Sequence, residues 1–342
     1  MKRTFYLGLL TIFLVSSVHA FSKVGSRGAL FLKIGVGARA FALGDAFVAM
    51  GSGPELAYWN PGKLSFLKQT GVAFSHYNWF AGIKYEYISA VMPFGLYGAL
   101  GLQLGYLNYG SIPVTTIQDP DNSSGDTYGA HDAVIGVTYS RRFTDKFGFG
   151  ITFKGVFQSI WDMSSKGMAL DLGSYYETGW KNLVLGLSLQ NFGTSMKFSG
   201  KNLETTMVDP AWADSFGWNG EPLPVSIITE DYDMPLMFRL GLSMKVTPDL
   251  SVAMDLIHPS DGLEKLCFGA EYSLKNLLAL RLGYIYDMDR TQFDTLDSIL
   301  EGFSAGFGLK KVYIGRTISI DYGLRNYGRL SFVHVLSLNV GM

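Results

Sequence analysis

Large apolar residues recur at every second position along most of this chain, and that period dictates extended backbone. Leu183, Leu185, Leu187 and Leu189 alternate with Val184, Gly186, Ser188 and Gln190. Leu278, Leu280, Leu282 and Tyr284 alternate with Ala279, Arg281, Gly283 and Ile285. Successive strand side chains point to opposite faces, so each segment has one large apolar face and one small or polar face. The uncharged stretch from Tyr87 to Gln118 obeys the same rule; its glycines, with Pro93 and Pro113, disfavour a helix.

The pattern predicts about fourteen strands, even in number as a single-chain bacterial barrel requires. They fall near 70–78, 84–93, 98–109, 130–143, 147–159, 167–177 and 182–191. The second half adds 235–246, 250–257, 265–273, 277–287, 301–309, 312–322 and 331–340. A soluble sandwich also alternates, with its apolar face inward. Strand length favours the barrel, because about 9–11 tilted residues cross a bilayer. Aromatic residues also gather near strand ends. The connections sort as well. Every second one is short, such as Phe94–Tyr97, Thr144–Lys146 and Lys310-Lys311, while Gly110–Gly129, Phe192–Met234 and Met288–Leu300 are long. Short turns on the periplasmic side and long loops outside are the arrangement of outer-membrane barrels. The expected fold class is therefore all-β, a transmembrane antiparallel barrel with an N-terminal plug.

Three segments follow. Residues 1–20 read as a cleaved signal peptide, with Lys2 and Arg3, a short apolar run and a Val18-His19-Ala20 cleavage site. Residues 21–69 break the strand pattern and are expected to fold into the lumen as a plug. Ser52-Gly53-Pro54-Glu55 starts a helix there and Asn60-Pro61 ends it. Residues 70–342 form the barrel, placed in the cell outer membrane.

Within the plug, Phe31 to Ala40 with Gly35, Gly37 and Arg39, then Leu43-Gly44-Asp45-Ala46-Phe47-Val48-Ala49, then Ala57-Tyr58-Trp59-Asn60-Pro61-Gly62-Lys63-Leu64 resemble the opening of the PorV/PorQ outer-membrane family. The stretch from Ile320 to Leu338 is similar to that family's last hairpin. That family is similar in turn to the FadL-type channels for hydrophobic compounds. The resemblance implies a fourteen-stranded barrel whose hatch contains an Asn-Pro turn. One departure is that the family usually closes on an aromatic residue, whereas this chain reads Val340-Gly341-Met342.

Charge excludes several functions. The formal net charge is −1, and 17% of residues are charged. A nucleic-acid binder would need a basic face. The single cysteine, Cys267, precludes an internal disulfide and any Cys-rich metal site. Gly35-x-Gly37-x-x-Ala40 fits a loose dinucleotide fingerprint, but no βαβ alternation follows it. The run Asp119 to Asp126 misses the EF-hand spacing, with Ser124 at the glycine position and Ala130 at the final Glu position. The histidines show no metal-ligand spacing, and no Gly-x-Ser-x-Gly elbow or Ser/His/Asp order stands out. No catalytic residue, cofactor or metal is expected.

The chemistry instead lies on the small-residue parity, assigned to the lumen. It gathers Glu86, Lys154, Asp171, Arg239, Lys245, Asp255, Glu271, Arg281 and Asp321. Buried charges must be paired, so these read as an ion-pair network clamping a basic plug. The long 192–234 loop carries Trp212, Phe216 and Trp218, an aromatic density expected for a partner or ligand site or for a lid over the barrel mouth. Two functions stay open. The PorV/PorQ resemblance implies an accessory in protein export or surface attachment, with a secretion-machinery or surface-protein partner. The FadL resemblance implies a passive conduit for hydrophobic small molecules. The charged lumen predicts no continuous apolar tunnel while the plug is in place.

Overall fold

The computed structural model describes residues 25–95, 98–207, 223–275, 277–289 and 300–342. The expected signal peptide, and Trp212, Phe216 and Trp218, lie outside the described residues. Fourteen strands form one closed antiparallel ring. They are β1 (Gly71–Asn78), β2 (Lys84–Pro93), β3 (Ala99–Pro113), β4 (Thr127–Arg142), β5 (Phe147–Ile160), β6 (Met163–Glu177) and β7 (Leu183–Gly193). The ring continues with β8 (Met237–Lys245), β9 (Leu250–Pro259), β10 (Lys265–Leu274), β11 (Leu278–Asp287), β12 (Phe303–Tyr313), β13 (Arg316–Asn326) and β14 (Phe332–Gly341). Each strand pairs with its neighbour in sequence, and β14 returns to β1 with Ser75 opposite Ser337. Closure removes every free edge, which is what lets a sheet span hydrocarbon.

Period two translates directly into two faces. Leu280 and Leu282 are 52% and 56% exposed on the outer wall, while Arg281 between them is 6% exposed. Inward glycines make room for chain inside the ring. A methyl group added at Gly173 of β6 would lie 2.5 Å from Asn60 Oδ1, and one at Gly186 of β7 would lie 2.8 Å from the Val48 carbonyl.

Residues 25–69 occupy that room in two short helices, α1 (Ala38–Ala42) and α2 (Leu56–Trp59), and a 3-10 turn at Pro61–Phe66. Asn60 is extended between α2 and the turn, with φ −158°, as the following proline requires. Its side chain accepts from Gly62 N at 3.1 Å and donates to Val48 O and Ser174 O at 3.0 and 2.9 Å. One segment thus ties the Asn-Pro turn both to itself and to the β6 wall.

One expected turn moves. Lys310-Lys311 is not the connection between β12 and β13, because both lysines continue β12. The chain reverses at Ile314-Gly315, with φ of 49° and 73°. A two-residue hairpin turn of this hand needs positive φ at both positions, and Gly315 is the residue that supplies it without strain.

Candidate functional site: the lumen and its two ends

The inward face of the wall carries both rings and charges. Its aromatic side chains gather on β1, β2 and beside β13, whereas its charges are spread along the axis, from Asp132, Arg239 and Arg325 towards the long-loop end to Glu271 and Arg281 towards the short-turn end. Phe41 of α1 touches both. Its ring meets Tyr77 of β1 at 5.9 Å and Tyr327, just beyond β13, at 6.4 Å. Tyr327 meets Trp79 and Phe80 of the β1–β2 loop at 5.4 and 6.3 Å. Trp79 in turn lies 6.4 Å from Tyr77. These five rings make a continuous aromatic ladder from the long-loop rim down to the plug.

At the foot of the ladder stands an ion pair. Arg325 of β13 donates to both carboxylate oxygens of Asp45, at 3.0 and 2.7 Å, and to the Phe41 carbonyl at 2.8 Å. Its guanidinium carbon also lies 4.0 Å from the centre of the Phe41 ring. The fork geometry of arginine suits this bidentate, stacked arrangement better than lysine would.

A second set of charges continues round the wall. Arg39 of α1 donates to Glu271 of β10 at 2.8 and 2.7 Å. Glu271 also accepts from Arg281 of β11 at 2.6 Å, and Arg281 reaches Asp321 of β13 at 2.6 Å. Lys154 pairs with Asp171 at 2.7 Å. Asp255 of β9 has no ion-pair partner among the described residues; it accepts the Phe47 and Val48 amides at 2.8 and 2.9 Å. Arg239 bonds to Gln190 at 3.0 Å and lies 4.8 Å over the Trp59 ring. The charges therefore grip the plug through its backbone and rings as well as through Arg39.

The early cations of the plug reach outward instead. Lys33 donates to both oxygens of Asp261 at 2.9 Å, beyond the end of β9. Arg27 pairs with Asp233, whose carbonyl also accepts from Gly28 N at 3.0 Å. The N-terminal end of the segment is thus held at the long-loop end.

Below the plug, at the short-turn end, opens a cavity of about 1190 Å3 lined by Arg39, Glu55, Lys63, Lys245, Glu271 and Asp321 among others. Lys245 has the inward parity of Arg239 but stands exposed at this mouth. Burial raises the Glu55 carboxyl to about 7, aided by Asp321 and opposed by Arg39. Burial also lowers the Lys63 ammonium to about 7, and its Nζ donates to the Ala49 carbonyl at 2.6 Å.

Glu86 is a correction. In β2 the buried parity belongs to Tyr85, Tyr87 and Ser89, so Glu86 shares the outer face with Ile88. It pairs there with His76 at 2.6 Å. A carboxylate near the rim can stay hydrated on the outer wall, so its charge does not assign it to the lumen. Of the other expected residues, Gly35 accepts from Tyr77 through its carbonyl at 2.8 Å, and Gly37 packs against the Glu55 side chain. Gly44 lies against the Tyr284 backbone, Trp59 donates to the Val36 carbonyl at 2.8 Å, and Pro61 sits against Gly173. Sequence reasoning missed Arg325 and the ladder residues Trp79, Phe80 and Tyr327. The alternation Asp321, Gly323, Arg325 was the available signal for the arginine.

No family model and no curated protein matches this chain. Solved structures do. The Pseudomonas putida toluene transporter TodX aligns over 90% of this chain and 96% of its own, with a TM-score of 0.55 at 15% identity. The fold is that of the FadL-type transporters. The Ralstonia pickettii toluene transporter TbuX covers 90% of this chain and 97% of its own, with a TM-score of 0.54 at 14% identity. A Pseudomonas aeruginosa FadL homologue covers 90% and 98%, with a TM-score of 0.52 at 12% identity. At these identities the likeness is one of fold. These neighbours are transport channels; they lend no support to PorV/PorQ membership or to protein secretion.

Proposed function

We propose that this protein is a passive, non-enzymatic outer-membrane conduit for hydrophobic small molecules, closed at rest by residues 25–69. The short-turn end faces the periplasm, and a signal peptide at residues 1–20 delivers the chain to export. The aromatic ladder from Trp79 and Phe80 to Phe41 carries this reading. A stack of rings gives an apolar solute a descending series of contacts, and its last member touches the plug clamp directly. The FadL-type fold agrees with it.

Passage requires the plug to rearrange, because below Phe41 the lumen is charged and stripping such groups of water costs several kcal/mol each. Phe41 couples the two regions: it is a rung of the ladder, and it covers the guanidinium that holds Asp45. A solute that wedges beside Phe41 therefore acts on the ion pair. The export reading had placed its partner on the loop bearing Trp212, Phe216 and Trp218, and it is the weaker alternative.

The test is uptake of a labelled alkylbenzene by cells that have only this channel for such compounds. Trp79→Ala with Phe80→Ala should lower the initial rate several-fold and leave the secreted proteome unchanged. Full uptake in cells lacking the protein, together with loss of surface proteins, would overturn the conduit in favour of export.

A further inference from the structure

The near-neutral total charge conceals a strong polarity along the barrel axis. At the short-turn end, the β4–β5 turn carries Arg141, Arg142 and Lys146, and the β6–β7 turn carries Lys181. Lys275 stands on the β10–β11 turn, and Lys310, Lys311 and Arg316 on the β12–β13 hairpin. Opposing them at that end are Asp145, Glu177 and Asp249. Among the described residues none of these cations is in an ion pair. The acidic loops lie at the other end, with Asp119, Asp121 and Asp126 on one loop and Asp261 and Glu264 on another.

The β12–β13 hairpin also protrudes. The last hydrogen bond to β11 on one side is Lys310 N to Leu277 O at 2.8 Å, and the last pair with β14 on the other is Thr317 with Gly341. Beyond that point the hairpin pairs only with itself, Val312 with Thr317 and Tyr313 with Arg316. Its tip is apolar and exposed, 65% at Val312, 61% at Tyr313 and 81% at Ile314. Two other turns repeat the combination of basic and aromatic side chains. Arg141 lies 5.8 Å over the ring of Phe143, and Lys181 lies 5.2 Å over the ring of Trp180. Both rings are exposed.

We propose that this collar, with its hairpin finger, is a docking surface for the headgroups of anionic phospholipids in the leaflet around the short-turn end. The proposal rests on the membrane orientation given above. Unpaired cations attract an anionic surface, and amphipathic rings beside them sit at the headgroup layer. On the finger the wall passes from Phe307 and Leu309 to Lys311 and Tyr313 on one strand, and from Ile320 and Ile318 to Arg316 on the other. That is the order of groups met on leaving hydrocarbon for phosphate. The spread decides between a lipid surface and an acidic protein: the cations occupy four turns on both sides of the ring, β4–β5 and β6–β7 on one and β10–β11 and β12–β13 on the other, whereas a protein partner would collect them on one side.

The experiment reconstitutes the full chain in nanodiscs of phosphatidylcholine mixed with phosphatidylglycerol and counts the lipids retained in native mass spectrometry. Wild type should retain phosphatidylglycerol several-fold over its share of the bilayer, and added salt should reduce the excess. Arg141→Glu with Lys181→Glu, Lys311→Glu and Arg316→Glu should abolish the preference. Equal retention of both lipids by wild type overturns the proposal, and so does an unchanged preference in the reversed variant. If that variant fails to fold, the wild-type comparison decides alone. Capture of an acidic periplasmic protein without any lipid preference also overturns it. Alkylbenzene uptake measured on wild type separates the two readings: no uptake beside an intact lipid preference sinks the conduit and leaves the collar.

Discussion

Replacing Asp45 by alanine leaves the Arg325 guanidinium buried without its carboxylate. The two side chains are 12% and 5% exposed, so neither water nor another anion readily takes the vacated place. Removing one partner of a buried pair costs about 3–5 kcal/mol, because the survivor stays charged and dry. Arg325 keeps its bond to the Phe41 carbonyl and its contact with the Phe41 ring, which places the loss near the low end, at about 3 kcal/mol. At about 1.4 kcal/mol per tenfold, plug opening should rise on the order of 100-fold. The ring of strands keeps every pairing, so the loss falls on the plug alone. Hydrogen exchange reads this directly. Amides of Ala38–Ala42 and Leu56–Trp59 should lose protection, those of β8–β11 should not, and conductance in planar bilayers should rise. The pair Asp45→Leu with Arg325→Met should recover most of the protection, since no orphan charge remains. Unchanged exchange in Asp45→Ala, or a double variant as open as the single one, would refute the clamp.

Leu280→Arg puts a charge on the lipid-facing wall and should cost about 2–4 kcal/mol if the site lies near the bilayer midplane, read as a lowered midpoint in urea unfolding from vesicles; an unchanged midpoint would show that Leu280 does not face hydrocarbon. The Glu55 carboxyl, raised to about 7, gives a pH dependence of definite sign. Its contribution to plug seating is complete below the unfolded value near 4.3 and is lost as pH rises through about 7. Plug amides should therefore exchange faster, relative to strand amides, as pH climbs across that window, and Glu55→Gln should flatten the difference; an identical slope in the variant would rule Glu55 out. Lys63 acts with the opposite sign above about 7, so the Glu55 effect is cleanest below neutrality.

The strands were legible because their cause is local: a period of two needs no knowledge of what the face meets. The sorted loops added closure and orientation. The Asn60-Pro61 stop was legible for the same reason, being written into two adjacent residues. What stayed hidden depended on neighbours far along the chain. Arg325 finds Asp45 across some 280 residues, and the strand was read as ending at 322. Glu86 falls on the expected lumen parity, but the parity of β2 is set the other way by Tyr85 and Tyr87, whose rings fill the lumen. The ladder rings looked like ordinary strand-end aromatics, and only the fold brings Trp79 and Tyr327 together. The turn at Ile314-Gly315 was displaced because paired lysines look like loop, while a lone glycine with its required φ attracts less notice.

The seam of the ring ties the wall to the plug. β14 follows the other ring strands in the chain, and it meets β1 where Ser75 Oγ and Ser337 Oγ lie 2.7 Å apart. The same Ser337 oxygen accepts the Ala38 amide at 2.7 Å. A hydroxyl at the join is thus satisfied by α1. Sealing the wall and seating its contents draw on one hydroxyl, so a change at Ser337 disturbs both at once.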